Sequence, residues 1–136
     1  MTTGTAAGIP AREYHTAQVH YMRKTLNASA DNATQRLVGV LPAGALVLKN
    51  ISGAYVRTPA FDAGTVLNIG TSTSTSKFAT DLSLTLSNVF TAVLEQSLDP
   101  VQATPSTVYA QLSASGSIGS AGVVEVIIAY IADNDL

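Results

Sequence analysis

This chain of 136 residues contains no cysteine and no tryptophan, and only 12% of its residues are charged. Without cysteine there is no disulfide framework and no thiolate metal site, and nothing requires an oxidising compartment. An ordinary soluble domain carries about 25% charged residues. Here serine and threonine, 29 residues together, replace the missing charge, and the net charge is −2. Such a surface repels other proteins weakly, so we expect a partner to cover much of it.

Targeting signals and long apolar runs are also missing. The first eleven residues contain no lysine or arginine and no apolar core segment, so no secretory signal peptide is predicted. The longest strongly apolar run, residues 123–132, is interrupted by Glu125 and is far shorter than the roughly 20 residues of a membrane span. The sequence therefore predicts a protein made in the cytoplasm and without a membrane partner.

The length of the chain predicts one folded unit. A chain of this size buries roughly two-thirds of its unfolded surface, which is enough for one core. Residues 1–10 consist of threonine, glycine and alanine with a single isoleucine, apart from Met1 and Pro10, and such a segment cannot bury enough apolar surface to order itself. We predict a flexible N-terminal arm over residues 1–13 and a single β-sandwich domain over residues 14–136.

Residues 41–70 contain three apolar runs separated by turn signals, a pattern typical of strands. Pro42 and Gly44 predict a tight turn, followed by a strand over residues 45–51. Two further strands are predicted over residues 54–58 and 65–70. Because two prolines and four glycines lie within these thirty residues, a helix is disfavoured.

The rest of the chain repeats this pattern of short strands and turns. Alternation or apolar runs predict strands at residues 15–23, 81–87, 89–94, 107–114 and 123–131, and residues 71–76 (TSTSTS) predict an exposed loop or edge strand. Seven or eight strands at spacings of about 8 to 12 residues favour a sandwich or jelly roll.

The last predicted strand is apolar on both of its faces, although a two-layer sandwich has only one interior face for any strand. One face carries Val124, Val126, Ile128 and Tyr130. Glu125 marks the opposite face as the less deeply buried one, and we therefore expect a contact between subunits there. The residues assigned to this contact are Val123, Glu125, Ile127, Ala129 and Ile131.

No catalytic, metal-binding or cofactor-binding residue is predicted. Ser74 and Lys77 match an S-x-x-K pattern, but the further motifs that acylating serine enzymes need are missing. The glycine-rich residues 116–122 lack the lysine and the helix of a phosphate loop. His15 and His20 have no carboxylate at a spacing that would complete a zinc site.

Charge is distributed unevenly along the chain. Residues 1–57 hold six basic and two acidic residues, net +4, whereas residues 58–136 hold one basic and seven acidic residues, net −6. A fold that segregates the halves would be electrically bipolar and suited to docking. A sandwich that interleaves the halves would cancel the dipole. Nucleic-acid binding is disfavoured, because the pI is 5.5 and no basic run exceeds Arg23-Lys24.

Several turn-and-strand patterns resemble a known family. They are Leu-Pro-Ala-Gly-Ala-x-Val at 41–47, Thr-x-Ala-Phe-Asp-Ala-Gly-Thr-x-x-x-Ile-Gly at 58–70, Asp-Leu-Ser at 81–83, Thr-Val-Tyr-Ala-Gln-Leu at 107–112 and Gly-Ser-Ala-Gly-Val-Val-Glu-Val at 119–126, followed by Tyr130 and Ile131. Together they resemble small jelly-roll head decoration (cement) proteins and related virion proteins of tailed bacteriophages. The resemblance covers residues 37–131.

The resemblance implies an all-β, jelly-roll-like antiparallel sandwich with an extended N-terminal arm. It implies a non-enzymatic protein on the capsid surface of the virion, whose partners are the major capsid protein and further copies of itself, most simply in a trimer. Capsid contact is assigned to residues of the arm and the first basic segment, namely Ile9, Pro10, Arg12, Tyr14, Arg23 and Lys24.

Two other functions compete with this one. A tail or head-fibre appendage that binds a host-surface glycan would need exposed aromatic rings beside polar groups, and the chain has no tryptophan and five tyrosines. A small hydrolase or sugar-active enzyme would need a paired nucleophile and base, which the sequence does not show.

Overall fold

The computed structural model describes residues 18–85, 90–92 and 102–132. These residues form strands and one 3₁₀ turn, and no α-helix is found among them. The strands are β1 (Val19–Asn27), β2 (Arg36–Leu41), β3 (Leu46–Val47), β4 (Gly53–Thr58), β5 (Val66–Gly70), β6 (Ala79–Ser83), β7 (Phe90–Ala92), β8 (Ser106–Ser113) and β9 (Val123–Ile131), and the 3₁₀ turn spans Lys49–Ile51. The predicted all-β class is confirmed.

The strands form two antiparallel sheets. Sheet A has the order β1-β9-β4-β7, with the short β3 also paired to β9, and sheet B has the order β2-β8-β5-β6. The pairs β1–β9, β2–β8, β4–β7 and β5–β6 are nested. These described strands therefore follow one long antiparallel hairpin that rolls up into two layers. This is the arrangement of a jelly roll. The predicted jelly-roll-like sandwich is therefore confirmed.

Strand alternation builds the core between the two sheets. Every second residue of β9 points inward, and Val124, Val126 and Ile128 are fully buried. From sheet B, Leu67, Ile69, Val108 and Leu112 join the same apolar cluster. Burial of each such side chain stabilises the fold by about 1.5 to 3 kcal/mol. Apolar side chains at every second position of the strands thus hold the two sheets together.

The predicted strand over residues 45–51 is wrong in its second half. Only Leu46–Val47 pair with β9, and the chain then forms the 3₁₀ turn before β4 resumes pairing on the same side of β9. The Ser52 hydroxyl, fully buried, donates to the Leu48 carbonyl (2.8 Å) and accepts from the Ala129 amide (2.9 Å). A side chain therefore replaces the missing ladder partner, which satisfies a buried backbone amide.

Two other predicted strands are shifted. The strand predicted at residues 81–87 is β6, which begins at Ala79 and contains Asp81 with a positive φ of 53° beside a register irregularity. The strand predicted at residues 15–23 is β1, which runs on to Asn27. Residues 15–17 and the predicted boundary between arm and domain lie outside the described residues.

Candidate interaction surface

The most distinctive surface is the side of sheet A that faces away from the core. There β9 lies between β1 and β4, and directly paired residues share a face. Ile131 is paired with Val19, Ala129 with Tyr21 and Ile127 with Arg23. Glu125 is paired with Thr25 on one side and with Tyr55 on the other. We call this surface the outer face of sheet A.

The outer face of sheet A is apolar but accessible. Val19 is 44% exposed and is paired with the half-buried Ile131, and Tyr21 is 58% exposed and is paired with the buried Ala129. The inward-facing Val126, by contrast, has no exposed surface. Val19 and Tyr21 therefore form an accessible apolar pair on the outer face of sheet A.

All five residues predicted for a subunit contact lie on this face. Val123, Ile127 and Ile131 are half-buried, whereas Glu125 and Ala129 are buried. The structure thus brings the five together on one side of β9, as the alternation predicts. Their role in a contact between subunits stays a prediction.

A cluster of three charged side chains lies at the Glu125 end of the face. Arg23 Nη2 forms an ion pair with Glu125 Oε1, and Arg57 Nη1 lies 3.4 Å from Glu125 Oε2. The Glu125 side chain is only 7% exposed, whereas those of Arg23 and Arg57 are 64% and 56% exposed. We call these residues the arginine–glutamate cluster. Because two guanidinium groups share one carboxylate, the cluster carries a net charge of +1.

The arginine–glutamate cluster combines residues from both halves of the sequence. Arg23 and Arg57 come from the basic half of the sequence and Glu125 from the acidic half. The roll places β9 between β1 and β4 and so brings the halves together. On this face residues of the two halves are interleaved, and the cluster keeps a net charge of +1.

The residues predicted for capsid contact are only partly described. Ile9, Pro10, Arg12 and Tyr14 lie outside the described residues. Arg23 and Lys24 are consecutive on β1 and therefore point to opposite sides of sheet A. Arg23 and Glu125, predicted for two different contacts, belong to one cluster.

Sequence reasoning missed several members of this surface. Leu46, Tyr55 and Arg57 reach it only because β3 and β4 pair with β9. Val19 and Tyr21 follow the period of a strand and share a face, which the sequence does show. That this face continues the outer face of β9 depends on a pairing between residues more than 100 positions apart. No local pattern encodes such a pairing.

The motif Ser74-x-x-Lys77 lies in the loop between β5 and β6, not on a helix. The Lys77 amide donates to the Ser74 carbonyl (3.3 Å), and Lys77 Nζ lies 5.7 Å from the centre of the Phe78 ring. Among residues 18–85, 90–92 and 102–132, no three histidine, aspartate or glutamate side chains are grouped so that they could hold a metal ion. In the same part of the chain no helix is long and apolar enough to span a bilayer.

No protein-family model and no curated protein matches the sequence. Solved structures do resemble the fold. One is a chain of the "Cyanophage Pam1 capsid asymmetric unit", with a TM-score of 0.53 and 19% identity over 85% of this chain and 84% of that chain. Another belongs to the "Capsid of Ralstonia phage GP4", with a TM-score of 0.50 and 12% identity over 86% of this chain and 84% of that one. The resemblance to phage virion proteins is thereby confirmed at the level of the fold.

Proposed function

We propose that this protein is a non-enzymatic structural protein of a bacteriophage virion, and specifically a decoration (cement) protein that binds and stabilises the head lattice. The observation that supports this proposal is the jelly-roll fold. Chains of two phage capsid structures resemble it, and each comparison covers at least 84% of this chain and of the other chain. A fold alone does not determine a function. The proposal therefore also depends on the chemistry of the molecule's surface.

The outer face of sheet A has the composition of a protein–protein interface. It combines exposed apolar side chains, Val19 and Tyr21, with a charged cluster at one end. Interfaces are enriched in tyrosine and arginine relative to the rest of a surface. In this proposal the face forms the contact between copies of the protein in a trimer, through Val123, Glu125, Ile127, Ala129 and Ile131.

The major capsid protein is the proposed second partner. We propose that its contact uses Ile9, Pro10, Arg12 and Tyr14 of the N-terminal segment together with Arg23 and Lys24 of β1. A segment with few apolar residues contributes when it orders on a partner's surface. The protein would then be located on the capsid surface.

Reconstitution on particles tests the proposal. Virions produced with and without this protein are imaged by electron cryomicroscopy, and purified protein is then added back to the deficient heads. We expect additional density at regular positions on the head, and heads that withstand heating better when the protein is present. Density confined to the tail or to a fibre, together with binding to host-surface glycans, would instead establish the appendage function.

The N-terminal segment provides a specific prediction. Deletion of residues 1–12 should leave the melting temperature of the purified protein nearly unchanged, because a segment of this composition adds little to the core. Occupancy of the deletion variant on deficient heads, measured by quantitative gel analysis of sedimented particles, should fall. Arg12→Ala in the full-length chain is the control for the contribution of charge alone. Equal occupancy of the full-length and deleted proteins would contradict this role of the segment.

A further inference from the structure

Strand β1 is the longest strand at an edge of either sheet within the described residues. It spans nine residues and pairs with β9 along its whole length without a register shift. The other edge strands, β2, β6 and β7, are shorter, and two of them are irregular: β2 has a register shift, and β6 contains Asp81 with a positive φ. A long, regular edge is a site at which a further strand can add to a sheet, whereas short or irregular edges hinder such addition.

The hydrogen bonds on the two sides of β9 identify the backbone groups of β1 that point away from the sheet. The Ala28 amide donates to the Gly122 carbonyl (2.9 Å), so every second residue counted back from Ala28 bonds to β9. The Ala129 amide donates to Ser52 on the opposite side of β9 (2.9 Å), so Tyr21, which is paired with Ala129, directs its backbone groups away from β9. The residues whose amide and carbonyl groups point to this open edge are Val19, Tyr21, Arg23, Thr25 and Asn27.

The open edge of β1 is closed at one end and accessible along the rest. At Asn27 the amide donates to Asp31 Oδ2 (2.8 Å), and the carbonyl accepts from the Asp31 amide (2.8 Å). Within the described part of the chain, no strand pairs with the remainder of this edge. The other four residues of the edge, Val19, Tyr21, Arg23 and Thr25, are all exposed. An extended segment along this edge would gain main-chain hydrogen bonds from each of the four.

The charges of β1 indicate the chemistry of a segment that fits this edge. The strand contains Arg23 and Lys24 and no acidic residue. Two copies of β1 placed edge to edge would bring four cations together, and like charges on neighbouring strands are destabilising. A segment with acidic side chains opposite Arg23 and Lys24 would be attracted instead, on both faces of the sheet, because the two residues point to opposite sides.

We propose that the open edge of β1 binds an extended segment of the major capsid protein as an additional strand of sheet A, with acidic side chains opposite Arg23 and Lys24. The proposal rests on the capsid contact proposed above and names main-chain pairing as its basis. An added strand lies beside β1 in the plane of the sheet. The outer face of sheet A therefore stays available for contact between copies.

Substitutions of Thr25 separate the contribution of the backbone from that of the side chain. Thr25→Pro removes an amide donor at the open edge without removing a hydrogen bond to β9, whereas Thr25→Val keeps the amide and removes only the hydroxyl. Melting curves establish that each variant folds. The affinity of Thr25→Pro for heads that lack the protein, measured from occupancy over a concentration series, should fall roughly tenfold. Thr25→Val should bind like the unmodified protein, and equal binding of the two folded variants would refute the pairing.

A pair of charge reversals tests the acidic partner without altering the backbone. Lys24→Glu on β1 and Lys77→Glu in the loop between β5 and β6 change the net charge by the same amount. Only Lys24→Glu should weaken binding to the deficient heads, and the difference between the variants should shrink as salt rises. Equal binding of both variants at low salt would contradict an acidic segment at this edge.

Hydrogen exchange shows whether the edge is open before the protein meets a head. In the isolated protein, NMR should find faster amide exchange at Tyr21, Arg23 and Thr25 than at Met22 and Lys24. Slow exchange at all five would mean that the same chain or a second copy already covers the edge, and it would overturn the proposal. On heads, mass spectrometry should find slower deuterium uptake over residues 18–27.

The outcomes distinguish this inference from the virion function. If the unmodified protein binds heads but Thr25→Pro and Lys24→Glu bind as well as their controls, the pairing at β1 is refuted and the decoration function stands. If the unmodified protein does not bind heads, both are refuted.

Discussion

The two outer faces of the sandwich are built by the same strand geometry but carry different chemistry. On sheet A, the outward positions of the central strand β9 hold Val123, Glu125, Ile127, Ala129 and Ile131. On sheet B, the outward positions of the central strand β8 hold Thr107, Tyr109, Gln111 and Ser113. The outward residues of β9 are apolar except for Glu125. The outward residues of β8 carry hydroxyl and amide groups, and Tyr109 adds one aromatic ring.

The polar groups of the outer face of sheet B are used within the chain. Gln111 Nε2 donates to the Ala33 carbonyl (2.7 Å), and Asn68 Oδ1 accepts from the Asp81 amide (2.8 Å). Among the described residues of sheet B, the exposed large apolar side chains are Leu37 and Val40 of the edge strand β2. Sheet B is therefore suited to water, whereas sheet A presents an apolar row and an unbalanced cation. For the self-association proposed above, the difference favours sheet A as the side that another copy would cover.

The largest effect is expected from placing a charge on the inner or on the outer face of β9. Val126→Asp places an unpaired charge in the core and should destabilise the fold by about 5 kcal/mol or more, which is enough to prevent folding. Ile127→Asp, one residue later, places the same charge on the half-buried outer face. That variant should fold but lose self-association. Circular dichroism melts and light scattering distinguish these outcomes, and similar damage from both substitutions would contradict the difference between the faces.

A smaller effect on self-association is expected when exposed apolar side chains are removed from the outer face of one sheet or the other. Val19→Ser/Tyr21→Ser removes exposed apolar side chains from sheet A, and Val40→Ser/Leu37→Ser removes similarly exposed ones from sheet B. The sheet A variant should weaken self-association by roughly tenfold or more because apolar contact area is lost. The sheet B variant should associate like the unmodified protein. Light scattering over a dilution series measures both, and the reverse order would assign the contact to sheet B.

The smallest effect concerns Arg57. Its side chain is 56% exposed and Glu125 keeps Arg23 as a partner. Arg57→Ala should therefore lower the free energy of unfolding by no more than about 1 kcal/mol, since solvent screens exposed ion pairs. Glu125→Ala leaves two arginines side by side and should be the more damaging of the two. Urea unfolding followed by tyrosine fluorescence gives both values, and a loss several times larger for Arg57→Ala would mean that the cluster supports the core.

The alternation of β8 and β9 was readable from the sequence because it depends only on the period of a strand. The inward set Val124, Val126 and Ile128 and the outward set ending at Ile131 were both predicted correctly. The neighbours of β9 were not predicted, since the pairing of Val19 with Ile131 spans the length of the fold. The 3₁₀ turn was also missed. Leu48, Lys49 and Ile51 are compatible with a strand, and the turn depends on the hydroxyl of Ser52, whose partner lies on β9.

The position of β9 also has a consequence for the order of events during synthesis. It is the last of the described strands in the sequence, yet it is the hydrogen-bonding partner of β1, β3 and β4. Pairing over such separations makes folding slow. A ribosome-bound chain that has not yet released β9 lacks the central strand of sheet A, and the Arg23 and Arg57 side chains have no Glu125 between them. The surface that other copies would recognise therefore comes into existence only with a finished subunit, which would keep incomplete chains out of the assembly.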